Sequence, residues 1–151
     1  MTFTRREALG IGAGATVFVV TGLNLDRAAA SAEDAMKEVM AFTDGQEPAA
    51  GKVKLSAPEI AENGNTVPIS VSVDSPMSAD DYVESVLVVA QGNPRPGVAT
   101  FKFSPMSGVA EASTRMRLAK TQKVIAVAKM SNGAVFMDAK DVKVTIGGCG
   151  G

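Results

Sequence analysis

Histidine and tryptophan are absent from this 151-residue chain, and cysteine and tyrosine each occur once. The missing histidine removes Ser-His-Asp triads, Cys-His nucleophilic pairs and most zinc sites in one step, which argues against a stand-alone hydrolase. A single cysteine excludes an internal disulfide and an internal dithiol cycle, so the thiol is left to react with something outside the chain. Charge is also nearly balanced, with 15 basic and 16 acidic residues. Nothing in that balance points to nucleic acid. No spacing calls for a cofactor or a metal. Asp80-Asp81 lacks a further carboxylate or histidine and reads as a turn before Tyr82.

What is present begins with a leader. Residues 1–32 open polar with Arg5-Arg6, run uncharged and apolar from Ala8 to Leu23, and reach Ala30-Ser31-Ala32, an A-x-A cleavage pattern. The alternative, a membrane anchor, fits less well, because the run is of signal length, is broken by glycines, and is followed by Asp26 and Arg27. Thr4-Arg5-Arg6-Glu7-Ala8-Leu9-Gly10 resembles a twin-arginine signal, with Ala8 and Gly10 departing from the usual pattern. The expected location is the periplasm. Loss of the leader makes the net charge one unit more negative than its starting −1.

The chain's 46% hydrophobic composition suits one core. Residues 33–51 are expected to hold a short helix, Glu33 to Phe42, with Met36, Val39 and Met40 on its apolar face, and then a linker marked by Gly45, Pro48 and Gly51. From Lys52 the period becomes two. Val67, Ile69, Val71 and Val73 alternate with polar residues, and Pro68 suggests an edge or a bulge. Tyr82 to Ala90 is apolar enough to be buried on both faces, a weak pointer to a covering second subunit. Strand patterns follow at Ala99 to Phe103, Ala110 to Leu118, Lys123 to Met130, Ala134 to Met137 and Asp141 to Ile146, with Asn132-Gly133 as a type I′ hairpin turn. About seven strands over 52–146 predict an all-β, immunoglobulin-like antiparallel sandwich that lacks the antibody tryptophan and cysteine pair. Met36, Met40, Met106, Met116, Met130 and Met137 are expected mostly as core filler. Arg115, Arg117, Lys120 and Lys123 read first as a solvated face, and second as contacts for an anion or an acidic partner.

Residues 147–151 are Gly147-Gly148-Cys149-Gly150-Gly151. Glycines on both sides predict a flexible arm that leaves the thiol accessible. The nearby terminal carboxylate disfavours a second anion and raises the thiol's pKa, so activation is expected from a partner. Counted from Ile146, three extended residues reach about 10 Å, enough to enter a cleft but not to cross to a distant site. Prenylation is excluded because Cys149 stands third from the end instead of fourth.

Asn63-Gly64-Asn65-Thr66-Val67-Pro68-Ile69, Val73-Asp74-Ser75-Pro76-Met77, Ala99-Thr100-Phe101, Ser113-Thr114-Arg115-Met116-Arg117-Leu118-Ala119 and Val142 to Gly151 closely resemble the SoxY family, sulfur-carrier subunits of the Sox thiosulfate-oxidation system. The resemblance implies a periplasmic immunoglobulin-like subunit paired with a SoxZ-like subunit as a heterodimer, itself non-catalytic. It implies that Cys149 bears covalently bound sulfur intermediates while Gly147, Gly148, Gly150 and Gly151 form the arm. The implied enzymes are a c-type cytochrome that conjugates thiosulfate, a hydrolase that releases sulfate, and a dehydrogenase for the remaining sulfur. Two other readings stay open: a ubiquitin-like sulfur carrier acting through the Gly150-Gly151 carboxylate, and a structural sandwich. The first conflicts with an export leader and a β pattern, and the second leaves the tail unused.

Overall fold

Alternating valines build the centre of this fold. The computed structural model describes residues 23–148, with side-chain surroundings from residue 32. The expected signal residues Arg5 and Arg6, and the tail residues Cys149, Gly150 and Gly151, lie outside the described residues. The chain divides into two units, Met1–Ala30 and Ser31–Gly151. Of the first, only the opening of a helix is described.

That helix, α1, runs Leu23–Phe42 and is longer than its expected span because the alanine-rich stretch before Glu33 favours helix. Nine strands follow among the described residues: β1 Ala49–Ala50, β2 Val53–Ser56, β3 Ile60–Asn63, β4 Val67–Val73, β5 Val83–Ala90, β6 Gly97–Lys102, β7 Ala110–Met116, β8 Gln122–Met130 and β9 Val135–Ile146. A short 3₁₀ turn, Pro105–Ser107, precedes β7. One sheet has the order β1-β9-β8-β5-β6 with β3 also on β9, and the other is β2-β4-β7. The expected all-β sandwich with one helix is what forms. Its pairing is antiparallel except where β1 and β3 run parallel to β9.

The principal core lies between the sheets. Val67, Ile69, Val71 and Val73 of β4 face Val86 and Val88 of β5 and Val124 of β8, all buried. Pro68 is not on an edge strand, since β4 is central; β2 pairs only from Ser70 to Val73, so the missing N–H meets no β2 partner. A second cluster joins Leu87, Val89, Ile125 and Val127 to Val39, with Phe42 packed against it. The doubly apolar pattern of β5 is therefore met by α1 of the same chain. The sequence pointer to a second subunit loses its basis there.

Three further expectations change. Among the described side chains of α1, Ala35 and Val39 are buried, while Met36 and Met40 are 49% and 40% exposed and Met106 is 96% exposed; Met116 and Met130 are core residues as expected. A type I′ turn requires positive φ at both central residues, but only Gly133 has it, at 84°. Met130 N–H donates to the Ala134 carbonyl, so Ser131–Gly133 is a three-residue loop with a left-handed glycine. The segments expected at Ala134 to Met137 and Asp141 to Ile146 are one strand. Asp138 at their join accepts the Leu55 N–H of β2 at 2.9 Å and ties the two sheets together.

Candidate functional site

β9 leads directly into the cysteine-bearing tail, so the surroundings of its last residues decide how that tail leaves the domain. Three segments meet there: the β3–β4 turn at Gly64, the chain just after β7 at Leu118, and Ile146 to Gly148. The Gly64 N–H donates to the Ile146 carbonyl at 2.8 Å, the Leu118 N–H to the Gly64 carbonyl at 2.8 Å, and the Gly148 N–H to the Leu118 carbonyl at 3.0 Å. Gly64 and Gly148 are buried, and Leu118 is wholly so.

Close approach explains these glycines. A Cβ on Gly64 would fall inside 3.0 Å of both the Leu118 carbonyl oxygen and the Gly148 nitrogen. One on Gly147 would fall inside 3.0 Å of the Ala119 carbonyl oxygen, and one on Gly148 would lie 2.9 Å from the Gly64 carbonyl oxygen and 3.1 Å from Asn65 Oδ1. None of the three has a positive φ. Gly147 and Gly148 were expected as links of a flexible arm; here Gly148 is buried against the Gly64 carbonyl, while Gly147 is exposed on one side and has the Ala119 carbonyl close on the other.

The loop that receives the tail is held from beneath by a buried amide pair. Asn93, only 3% exposed, donates through Nδ2 to the Arg117 carbonyl at 2.8 Å and accepts at Oδ1 from the Ala119 N–H at 3.0 Å and from Gln122 Nε2 at 2.9 Å. Gln122 Nε2 also donates to the Lys120 carbonyl, and Gln122 Oε1 accepts the Gly92 N–H. Every polar atom of both amides' heavy-atom frame has a partner, which is what makes such burial tolerable. The end of β9 is fastened too. Thr121 Oγ1 accepts the Val144 N–H at 2.9 Å, and Thr145 Oγ1 donates to the Glu62 carbonyl at 2.9 Å.

The remaining candidates fall elsewhere. Arg115, Arg117, Lys120 and Lys123 are all exposed, and Arg115 makes a long 3.4 Å contact to Thr66 Oγ1. The Ser78–Asp81 bonds form the expected turn before Tyr82. Among the described residues no group of three or more His, Cys, Asp or Glu side chains is placed to hold a metal ion, and no described helix is long and apolar enough to cross a membrane. The roles of Asn93 and Gln122 carry no sequence motif. A buried Asn-Gln pair is two polar letters in turns until the fold brings them together.

The family model described as sulfur oxidation protein SoxY matches residues 38–149. Among solved structures, the sulfur carrier protein SoxY from Chlorobium limicola f thiosulfatophilum is 29% identical with a TM-score of 0.66, over 80% of this chain and 99% of that one. A superoxide reductase (neelaredoxin) from Ignicoccus hospitalis is 19% identical with a TM-score of 0.56, over 62% of this chain and 80% of that one. A superoxide reductase homologue from Thermotoga maritima is 18% identical with a TM-score of 0.52, over 68% of this chain and 89% of that one. The two reductases share the fold alone. Comparison with curated proteins found no match.

Proposed function

The chain belongs to the SoxY family of sulfur oxidation proteins, and from that premise we propose that it is a covalent sulfur carrier whose attachment atom is the thiol of Cys149. The observation that carries the reading is the extent of the family match, which runs to residue 149 and so takes in the chain's one cysteine. The absence of histidine supports a division of labour. The chain offers a thiol but no histidine to serve as its base, so the bond-making and bond-breaking groups are assigned to partner enzymes.

The chemistry balances on that division. Joining the thiol sulfur to the outer sulfur of thiosulfate releases a proton and a pair of electrons, and a c-type cytochrome accepts the electrons. The product is a cysteine S-thiosulfonate. A hydrolase then adds water across the bond between sulfur and the sulfonate, releasing sulfate and protons and leaving a persulfide. A sulfur dehydrogenase would oxidise that persulfide further. The protein's own part is to hold the cargo and offer it. This reading places the chain in the periplasm after twin-arginine export guided by Arg5 and Arg6, as a heterodimer with a SoxZ-like subunit and with no cofactor of its own.

Intact-protein mass spectrometry after exposure to thiosulfate and the conjugating enzyme tests the assignment. A thiosulfate adduct is expected on the native chain and none on Cys149→Ser; an adduct that persists in the variant overturns the reading. A thiocarboxylate on Gly151 would select the ubiquitin-like carrier instead. Size-exclusion of the chain alone and coexpressed with a SoxZ-like subunit checks the pairing, and a lone chain that stays monodisperse and stable would count against an obligate heterodimer.

A further inference from the structure

The hydrogen bonds at the tail form a chain of their own: Ile146 carbonyl to Gly64 N–H, Gly64 carbonyl to Leu118 N–H, Leu118 carbonyl to Gly148 N–H. It starts on the last residue of β9 and returns to the tail after Gly147. Leu118 sits between Arg117 and Ala119, whose carbonyl and N–H are both bound by Asn93. The acceptor for Gly148 is therefore set by a buried amide; Gly148 is itself buried against the Gly64 carbonyl, and at the exposed Gly147 the Ala119 carbonyl blocks the place a Cβ would take.

We propose that Gly64, Leu118 and Asn93 form a clamp that fixes the tail as far as Gly148, making Gly147 and Gly148 packing residues of an anchor and Asn93 a positioning residue for sulfur transfer. The transfer role rests on the reading of Cys149 as the attachment site; the clamp does not. With the anchor at Gly148, the Cys149 Cα lies one peptide step, about 3.8 Å, beyond it. The reach of about 10 Å counted from Ile146 shrinks to one residue and a side chain. A partner's cleft must then admit the rim itself, Gly64-Asn65 on one side and Leu118-Ala119 on the other. In return the cargo leaves from a defined point, and less freedom is lost when it is bound.

Backbone ¹⁵N relaxation and amide exchange on the full chain separate a clamp from a hinge without any sulfur chemistry. Order parameters near ~0.85 at Gly147 and Gly148, like those of β9, and slowed exchange at the Gly148 amide are expected. Values below ~0.6 at both glycines overturn the clamp. The positioning role is read on Gly148→Ala and Asn93→Ala, each with Cys149 intact. Loss of protection at residue 148 should accompany a roughly tenfold fall in kcat/KM with the conjugating enzyme, while a small thiol reagent reacts no more slowly than with the native chain. Asn93→Asp keeps the acceptor for Ala119 and Gln122 and should recover part of that loss. Native kcat/KM in a variant whose residue 148 amide has lost protection would overturn the positioning role. Should Asn93→Ala fail to fold, Gly148→Ala and the relaxation data on the native chain still decide.

Discussion

The turns of this protein and its tail junction both depend on glycine, for opposite reasons. Gly45, Gly51, Gly108 and Gly133 have φ of 80°, 103°, 74° and 84°, and nothing lies within 4 Å of a Cβ built on any of them. At Gly64, Gly147 and Gly148 no φ is positive, and a Cβ would come within 3.0 Å of a backbone atom. In the turns, glycine is needed for a conformation; at the junction, for an absent atom. The contrast shows that a glycine does not by itself make a hinge, since the same letter serves a bend in open water and a close approach of backbone to backbone.

Substitution should separate the two groups, and the largest effect is expected at Gly64. Gly64→Ala forces apart the Leu118 carbonyl and the Gly148 amide; overpacking of that kind costs about 1–3 kcal/mol, seen as a fall in melting temperature of about 3–10 °C by calorimetry. Gly133→Ala meets no neighbour but must hold a left-handed backbone, at about 1 kcal/mol. Asparagine sharpens the comparison because it tolerates positive φ better than alanine does. Gly133→Asn should melt above Gly133→Ala, whereas Gly64→Asn should melt below Gly64→Ala, and the same rank order at both sites would break the distinction. Gly147→Ala should change stability by under about 0.5 kcal/mol while abolishing protection of the Gly148 amide, because it disturbs the tail and not the core.

The smallest effect concerns pH. Lys129 pairs with Asp44 in the turn that ends α1, and that hydrogen bond holds the Lys129 ammonium above its ordinary 10.5. A raised lysine pKa contributes stability that is complete below the unfolded value of 10.5 and is lost as pH climbs through the folded value. Above that range, amide exchange should quicken around Asp44 and Gly45 beyond the trend set by base catalysis. The junction's hydrogen bonds run between backbone groups, so Gly64 and Gly148 should show no such excess.

Much of the sandwich is legible in residue order. The alternation Val67, Ile69, Val71, Val73 gives β4 its inner face, and the apolar run before Ala90 marks β5 as buried on both sides. What covers the second face is not legible, because α1 meets it through Val39 and Phe42 while Met36 and Met40 stay 49% and 40% exposed, and two apolar residues carry little signal in a sequence. β3 escapes because only Ala61 of its residues is buried, leaving no period to read, and its partner β9 lies far along the chain. β9 looks broken at Asp138, whose charge makes sense only once the Leu55 N–H of the other sheet is opposite it. At the site, Cys149 stands out by its uniqueness. The closeness of Gly64 to Gly148 is a tertiary fact, and no local pattern encodes it.

β9 is also a load path. It is flanked by β8 over eight residue pairs and by β1 and β3 running parallel to it. On the proposed carrier reading, withdrawing the tail from a partner's cleft would pull along this strand's own axis. Tension in that direction loads its ladders in shear, so that many hydrogen bonds must yield together, whereas a pull across the strand would unzip them singly. The strand pairing that sets where the tail leaves thus also makes the domain a stiff handle, one that can be tugged at its end and keep its shape.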